Sequence, residues 1–518
     1  MLLRLRRFAF FGSVIVVGVS RAAPVAAAPE NAAASQTGDD AAKPAATAQT
    51  SSQAGDDDDD AEPAAAAQTT TPKATAQATV DAAPTPTSVS VSESHPPLTF
   101  GSGGWAASIY GFAELDIIGD STQSFSESAT NNTLARQNTP AGDNPRTQLT
   151  ARNSRLGFKI QAPQWGEIKT SGVVEFDFFG ESQLTTKQGE SYSAGPARMR
   201  LFYAKLETPI VDVLAGQYHD LFAWGGAGFY PNTVGFLALP GEIYHRNPQL
   251  RLSKTLKGGA LDFEIAAAAV RPVQRDAAMP DVQGGLKLNI NGWKGASAAG
   301  ASRPVSAPLS LAVSGIARRF SVTDFAQSPA NPQTANGYGI AANAFLPIIP
   351  ANGADLSNAL SVTGEFTTGT GISDLYTALT GGVGFPALPN PNNFAAAPVY
   401  TPNIDPGIVT FDASNQLQAI KWTGVVLNAH YHLPIADGKK LWLSGSYSVL
   451  KSSNSVVLTP IQGRPFVFDR AQYFDANLWW GVTPAVQVGL SFQRTQQTFG
   501  DGAVAHNNRG ESAFYFFF

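Results

Sequence analysis

The chain contains no cysteine and only three methionines and six histidines, and charged side chains occupy just 14% of its 518 positions. Without cysteine there is no disulfide framework, thiolate metal site, thiol nucleophile or lipid-modified N-terminal cysteine. An ordinary soluble chain is about 25% charged, and a transmembrane helix needs about 20 consecutive apolar residues. This sequence has neither property, and its mean hydropathy is −0.08. A formal net charge of −5, from 35 basic and 40 acidic side chains, offers no bulk field for nucleic acid. What is abundant is glycine (49), proline (35) and aromatic side chains (10%), a composition of many short segments separated by turns.

Arg4, Arg6 and Arg7 precede an apolar run from Phe8 to Val19 and then small residues, the layout of a secretory signal peptide. Cleavage near Val25-Ala26-Ala27 makes residues 1–27 the leader. Residues 28–99 are Ala, Pro, Thr, Gln, Ser and Asp with almost nothing large and apolar, so burial cannot offset the entropy of ordering them, and a disordered tail is expected. The run Asp56 to Asp60 is read as solvated rather than cation-binding. Leader and tail take six of the basic and eleven of the acidic side chains, which leaves 29 of each in residues 100–518. The acidity belongs to the tail.

Beyond Gly101-Ser102-Gly103-Gly104 the pattern becomes strict alternation. Ile168, Thr170, Gly172, Val174, Phe176 and Phe178 share one face, while Glu167, Lys169, Ser171, Glu175 and Asp177 share the other. Leu156, Phe158 and Ile160, then Leu261, Phe263 and Ile265, then Leu441, Leu443 and Tyr447, then Val486, Val488, Leu490 and Phe492 make further apolar faces. Tight connections alternate with long polar ones, the latter expected at 120–153, 181–195, 218–247, 369–415, 452–469 and 496–509. The strands between them number sixteen, most near the 9 to 11 residues that cross a bilayer at a tilt. The fold class expected is all-β: a transmembrane antiparallel β-barrel whose backbone amides are satisfied by closure and whose lumen is an aqueous channel. Tyr110, Trp165, Tyr431, Trp442, Trp479, Trp480 and Tyr515 fall near strand ends, where aromatic girdles sit.

These residues resemble bacterial outer-membrane porins, and residues 100–518 are most similar to the DcaP-type trimeric porins. The resemblance rests on Tyr110-Gly111-Phe112 with Asp116, on Ser154-Arg155-Leu156-Gly157-Phe158, and on Arg198-Met199-Arg200-Leu201-Phe202-Tyr203-Ala204. It also rests on Ala215-Gly216-Gln217, Tyr230-Pro231-Asn232-Thr233, Pro240-Gly241 and Arg246-Asn247-Pro248-Gln249-Leu250-Arg251. The terminal Phe514-Tyr515-Phe516-Phe517-Phe518 is similar to the C-terminal strand read by the outer-membrane assembly machinery, which makes Phe518 the contact with that partner. The resemblance implies a homotrimer in the bacterial outer membrane, surrounded by its lipid, with the tail in the periplasm and a third long loop folded inward. The tail departs from the family pattern: it has prolines and no heptads, so a coiled coil is not expected from it.

A porin acts through pore radius and fixed charge and needs no cofactor. On inward faces the basic candidates are Arg155, Lys159, Arg198, Arg200, Arg251 and Lys287, and the acidic ones include Glu114, Asp116, Glu175 and Asp177. Guanidinium groups on one wall would favour small anions or carboxylates, whereas arginines paired to carboxylates on the adjacent strand would only stabilise the sheet. The apolar run Phe222, Trp224, Phe229 and Tyr230, with Glu242, His245 and Arg246, is the candidate constriction loop. His430 and His432 share a lumen face without further ligands, so no metal is expected. Diffusion of small hydrophilic solutes is the function expected, with a barrel phospholipase or protease and a surface adhesin as alternatives.

Overall fold

The computed structural model describes residues 98–518 except 130–132, 181–194, 227, 237, 301, 325–330 and 380–402. The leader, nearly all of the tail and about half of the Pro/Asn-rich stretch 369–415 thus lie outside the described residues.

Alternation builds twenty strands: β1 (Leu98–Ser102), β2 (Trp105–Asp120), β3 (Arg146–Thr150), β4 (Arg155–Gln161), β5 (Lys169–Asp177), β6 (Arg198–Glu207), β7 (Asp212–His219), β8 (Arg246–Lys257), β9 (Leu261–Val270) and β10 (Asp281–Ser297) come first. They are followed by β11 (Val305–Asp324), β12 (Asn331–Ile349), β13 (Leu360–Thr370), β14 (Val409–Phe411), β15 (Leu417–Ala419), β16 (Lys421–His432), β17 (Leu441–Ser452), β18 (Phe468–Gly481), β19 (Val486–Phe499) and β20 (Val504–Phe517). Strands β3 and β4 are two parts of one barrel strand, both paired with β2. Each barrel strand then pairs antiparallel with the next, and β20 closes on β2 from Phe517–Phe112 to Arg509–Asp120. The result is a closed sixteen-stranded barrel. Closure removes the sheet edge, so every strand satisfies its amides within the sheet, a necessity in lipid. Hairpin strand β1 takes the part of β2 that β20 does not reach, and β14 and β15 form a separate ribbon in a long loop.

One face of each strand is apolar and open, as at Leu115 and Ile117, while their neighbours Glu114, Asp116 and Ile118 are buried inside. The expected outward faces, such as Leu261-Phe263-Ile265, point outward as read. Four of the expected girdle aromatics do not: Tyr110, Trp442, Trp479 and Tyr515 face the lumen and are buried, whereas Trp165 and Trp480 are exposed. Sequence position near a strand end cannot tell the two faces apart. Trp442 pairs directly with Trp479 across β17 and β18, and the rings stack at 5.9 Å and 7°. His432 stacks on Trp442, and Tyr515 follows Trp479, so an aromatic ladder runs from β16 to β20 inside the barrel.

Two connections also differ from expectation. The long loop expected at 496–509 shrinks to residues 500–503, because β19 and β20 pair up to Thr498–Val504. The stretch 291–308 is largely strand: β10 and β11 re-pair beyond a bulge between Ile290 and Lys294, leaving 298–304 as the connection. Ala296 and Ala298 within this region are fully buried. Polar and small residues there read as loop, but they face an occupied lumen.

Candidate functional site

The connection between β7 and β8, residues 220–245, folds into the barrel and lies along the wall formed by β10 to β19. That wall presents short polar side chains, and they receive the loop's backbone. The amides of Phe222, Ala223, Gly241 and Ile243 donate to Gln283 Oε1 (2.8 Å), Ser314 Oγ (2.8 Å), Ser448 Oγ (3.0 Å) and Glu365 Oε1 (2.7 Å). Buried backbone donors must be paired, and here strands distant in sequence pair them. Asn232 is the hub. Its Nδ2 donates to the carbonyls of Ala298 (2.7 Å) and Gly300 (2.9 Å), its Oδ1 accepts from Trp442 Nε1 (3.0 Å), and its backbone exchanges hydrogen bonds with Asn428. The loop, the 298–304 connection and the aromatic ladder are thereby one packed body. Gly241 passes so close to the wall that a Cβ would meet Val449 O at 2.7 Å, so only glycine fits.

Ala223 and Trp224 adopt left-handed φ values of 59° and 48°. This backbone is costly for non-glycine residues. It is held by Trp224 Nε1 donating to Val313 O (3.0 Å) and by the Lys287 ammonium over the indole ring.

With the loop on one wall, a cavity of about 120 Å³ remains against the other, β2 to β7. It is bordered by Tyr110, Arg155, Lys159, Glu175, Arg200 and Tyr203 of the wall and by Tyr230, Glu242 and Tyr244 of the loop. Of the residues singled out in the sequence, Arg155, Lys159, Arg200, Glu175, Tyr230 and Glu242 therefore meet at one place. Phe222, Trp224 and Phe229 do not line it; they are buried against the far wall. Glu114 and Asp116 face the lumen but do not border this cavity, and Arg198, Arg251 and Asp177 stand behind its lining.

Arg200 and Leu201 both face inward because a bulge opposite Glu175 and Phe176 inserts one residue in β6. Arg200 is 1% exposed; it donates to Glu175 Oε1 (2.7 Å), Asp177 Oδ2 (2.9 Å) and the Tyr244 hydroxyl (2.8 Å). Arg198 grips Asp177 with two hydrogen bonds of 2.9 and 2.6 Å. These two arginines and two carboxylates cancel in charge on adjacent strands. Removing one partner of a buried pair strands the other charges, at about 3–5 kcal/mol. Arg200→Met should lose about that much stability in denaturant unfolding of the folded barrel in detergent. Adding Glu175→Gln and Asp177→Asn should restore most of it; a single variant as stable as the parent would contradict this arrangement.

Three more arginines stand around this quartet without a close ion pair of their own. Arg155 lies 3.7 Å from Glu175, beyond hydrogen-bond reach, with its guanidinium over the Phe112 ring. Arg246 stacks over Tyr244, and Arg251 stacks over Tyr218 and donates to His219 O (2.6 Å). Neither Arg246 nor Arg251 forms an ion pair among the described residues, and Arg246 Nη1 has no hydrogen-bond partner. In the loop, burial and the nearby Glu365 carboxylate push the Glu242 carboxyl well above the usual carboxyl range. His245 does not face the passage: its ring nitrogen lies 3.5 Å from the Asp220 carboxylate. Burial opposes both charges, but their mutual attraction wins, holding Asp220 low and His245 high. Burial would likewise raise the Tyr244 phenol, yet the charges of Arg200, Arg246 and Arg155 bring it down to about 8. Tyr244 was not singled out in the sequence, and Tyr203 and Asn232 stood there only within motifs of the resemblance, because their roles arise from contacts between remote segments.

The barrel thus belongs to the class of transmembrane β-barrels with an inward-folded loop and a narrowed aqueous passage. Among solved structures it is similar to the outer membrane channel DcaP of Acinetobacter baumannii (16% identity, 81% of this chain and 99% of that one, TM-score 0.55). It also matches an anion-selective porin from Comamonas acidovorans (9%, 80% and 100%, TM-score 0.45) and OmpF of Salmonella typhi in complex with daunomycin (10%, 81% and 100%, TM-score 0.44). No family model matches the sequence, and no curated protein matches it. At such identities the likeness is one of fold.

Proposed function

We propose that this chain is an outer-membrane porin that passes small hydrophilic solutes with a preference for anions, carboxylates among them. The observation that carries the reading is the pairing pattern around the passage. Arg198 and Arg200 are neutralised by Asp177 and Glu175, burial and Glu365 push the Glu242 carboxyl up, and Arg155, Arg246 and Arg251 form no hydrogen-bonded ion pair among the described residues. Fixed charge of one sign beside a narrow aqueous path favours the opposite ion. The long-loop end faces outward in this reading, the short turns and the tail face the periplasm, Phe518 is the contact for the assembly machinery, and three copies form the working unit.

Planar-bilayer recording tests it. Purified protein should insert in conductance steps, in threes if it is a trimer, and a salt gradient should give a reversal potential of anionic sign. No steps at any salt concentration would remove the porin reading. Anion preference should also fall as pH rises through about 8, because ionised Tyr244 adds a negative charge among the arginines. In Tyr244→Phe that alkaline decline should vanish; an unchanged pH profile would rule out Tyr244 as its source.

A further inference from the structure

The outer face of the barrel carries a basic cluster at its long-loop end that no ion pair answers among the described residues. Lys421, Lys451 and Arg470 occupy consecutive strands β16, β17 and β18, and all three side chains point outward and are exposed. Lys451 and Arg470 are directly opposite in register, and Lys421 lies two residues above Thr423, the partner of Lys451. Directly opposed side chains on one face have Cβ atoms about 5 Å apart, and like charges there destabilise the sheet. None of the three forms an ion pair among the described residues. Asp469, beside Arg470 at a bulge, makes no ion pair either, and its Oδ1 has no hydrogen-bond partner.

Height on the barrel says what should face them. Below Lys451 the outward residues of β17 are Val449, Tyr447, Gly445, Leu443 and Leu441; below Arg470 those of β18 are Gln472, Phe474, Ala476, Leu478 and Trp480. Ten residues of strand at a tilt of about 40° rise about 25 Å, the height of the apolar band of such barrels. Lys421 stands equally far above Tyr431. Just beneath the cluster, Tyr447 and Phe474 are cross-strand partners at the depth where aromatic side chains meet lipid headgroups, and the Tyr447 hydroxyl accepts from Gln472 Nε2 at 3.2 Å. The cluster therefore lies at the headgroup plane of the leaflet on the long-loop side. Anionic headgroups attract basic side chains at that plane.

We infer that Lys421, Lys451 and Arg470 form a binding site for the phosphate groups of a lipid in the outer leaflet, with Tyr447 and Phe474 against its acyl chains. A phosphate between Lys451 and Arg470 turns a repulsive pair into two charge-assisted hydrogen bonds. The inference rests on the outer-membrane orientation proposed above, but on none of the passage residues.

Its test is lipid retention by the full barrel in detergent, measured by native mass spectrometry with diphosphorylated lipid A, the same lipid with its phosphates removed, and phosphatidylethanolamine as probes. The parent should retain diphosphorylated lipid A at least tenfold better than the dephosphorylated form. Lys421→Gln/Lys451→Gln/Arg470→Gln should abolish that difference while keeping the parent's conductance steps, which shows that the barrel is intact. A conservative Lys451→Arg variant should retain the lipid. Equal retention of both lipid A forms by the parent, or undiminished preference in the triple variant, would overturn the inference, as would a change of oligomeric state without a change in lipid retention. Absence of conductance in the parent would strike the porin reading and leave the lipid comparison to be read on its own.

Discussion

Arg155→Gln/Arg246→Gln/Arg251→Gln should turn an anion-preferring passage into one that is unselective or prefers cations. In the parent the buried quartet of Arg198, Arg200, Glu175 and Asp177 sums to no charge. The sign of the passage is therefore set by the cations outside it, Arg155, Arg246 and Arg251 among them. A unit charge about 8 Å from a permeating ion contributes about 2 kcal/mol at the effective dielectric of a protein surface and about 0.5 kcal/mol in water. With screening at 0.1 M salt, removing three such charges should change the anion-to-cation permeability ratio by about tenfold or more. The measurement is the reversal potential across a tenfold potassium chloride gradient. Arg200→Met makes the counterpart: by releasing Glu175 and Asp177 it should shift selectivity toward cations, although it adds no acid. A triple variant with the parent's reversal potential would refute the assignment of charge.

Shortening the inward loop, by replacing residues 222–243 with a few glycines, should raise single-channel conductance several-fold. Sixteen strands spaced about 4.8 Å apart and tilted about 40° close at a backbone radius of about 16 Å, far wider than the passage left beside the loop. The barrel itself should still fold, since its sheet closes through β2 and β20 without help from the loop. Asn232→Ala is the milder version. It removes the donors to Ala298 and Gly300 and leaves Trp442 Nε1 unpaired in a buried site, at about 1–3 kcal/mol. Conductance of Asn232→Ala should become noisy, with excursions toward the level of the loop-shortened barrel. If the shortened loop gives the parent's conductance, residues 220–245 do not limit the passage.

Much of this was legible in the chain. Although buried inward cations also occur beyond the first half, at Arg318 of β11 and Arg509 of β20, the lipid-facing side chains of β9, β17 and β19 and the sixteen crossings followed from period-two alternation. So did the inward direction of Arg155, Glu175, Asp177 and Arg198. Alternation failed where it was interrupted. The bulge at Arg200 shifts the inward set from Arg198 and Arg200 to Leu201, Tyr203 and Lys205 within one strand. The inward aromatics were misplaced for a related reason: Trp479 and Trp480 are adjacent, one faces each way, and depth along a strand says nothing about side.

The sequence by itself determined that the chain closes into a wet barrel, because lipid makes the same demand of every strand, one apolar face and no free amides, and a local repeat can meet it. Only the tertiary structure decided which charges are spent and which are free. Arg200 is neutralised by a neighbouring strand while Arg246, at the foot of the loop, is not, and Asn232 joins the loop to β16, β17 and the 298–304 connection. Such pairings depend on register, bulges and the path of a loop across the lumen. They join residues 210 and more positions apart, a separation that no pattern of neighbours along the chain records.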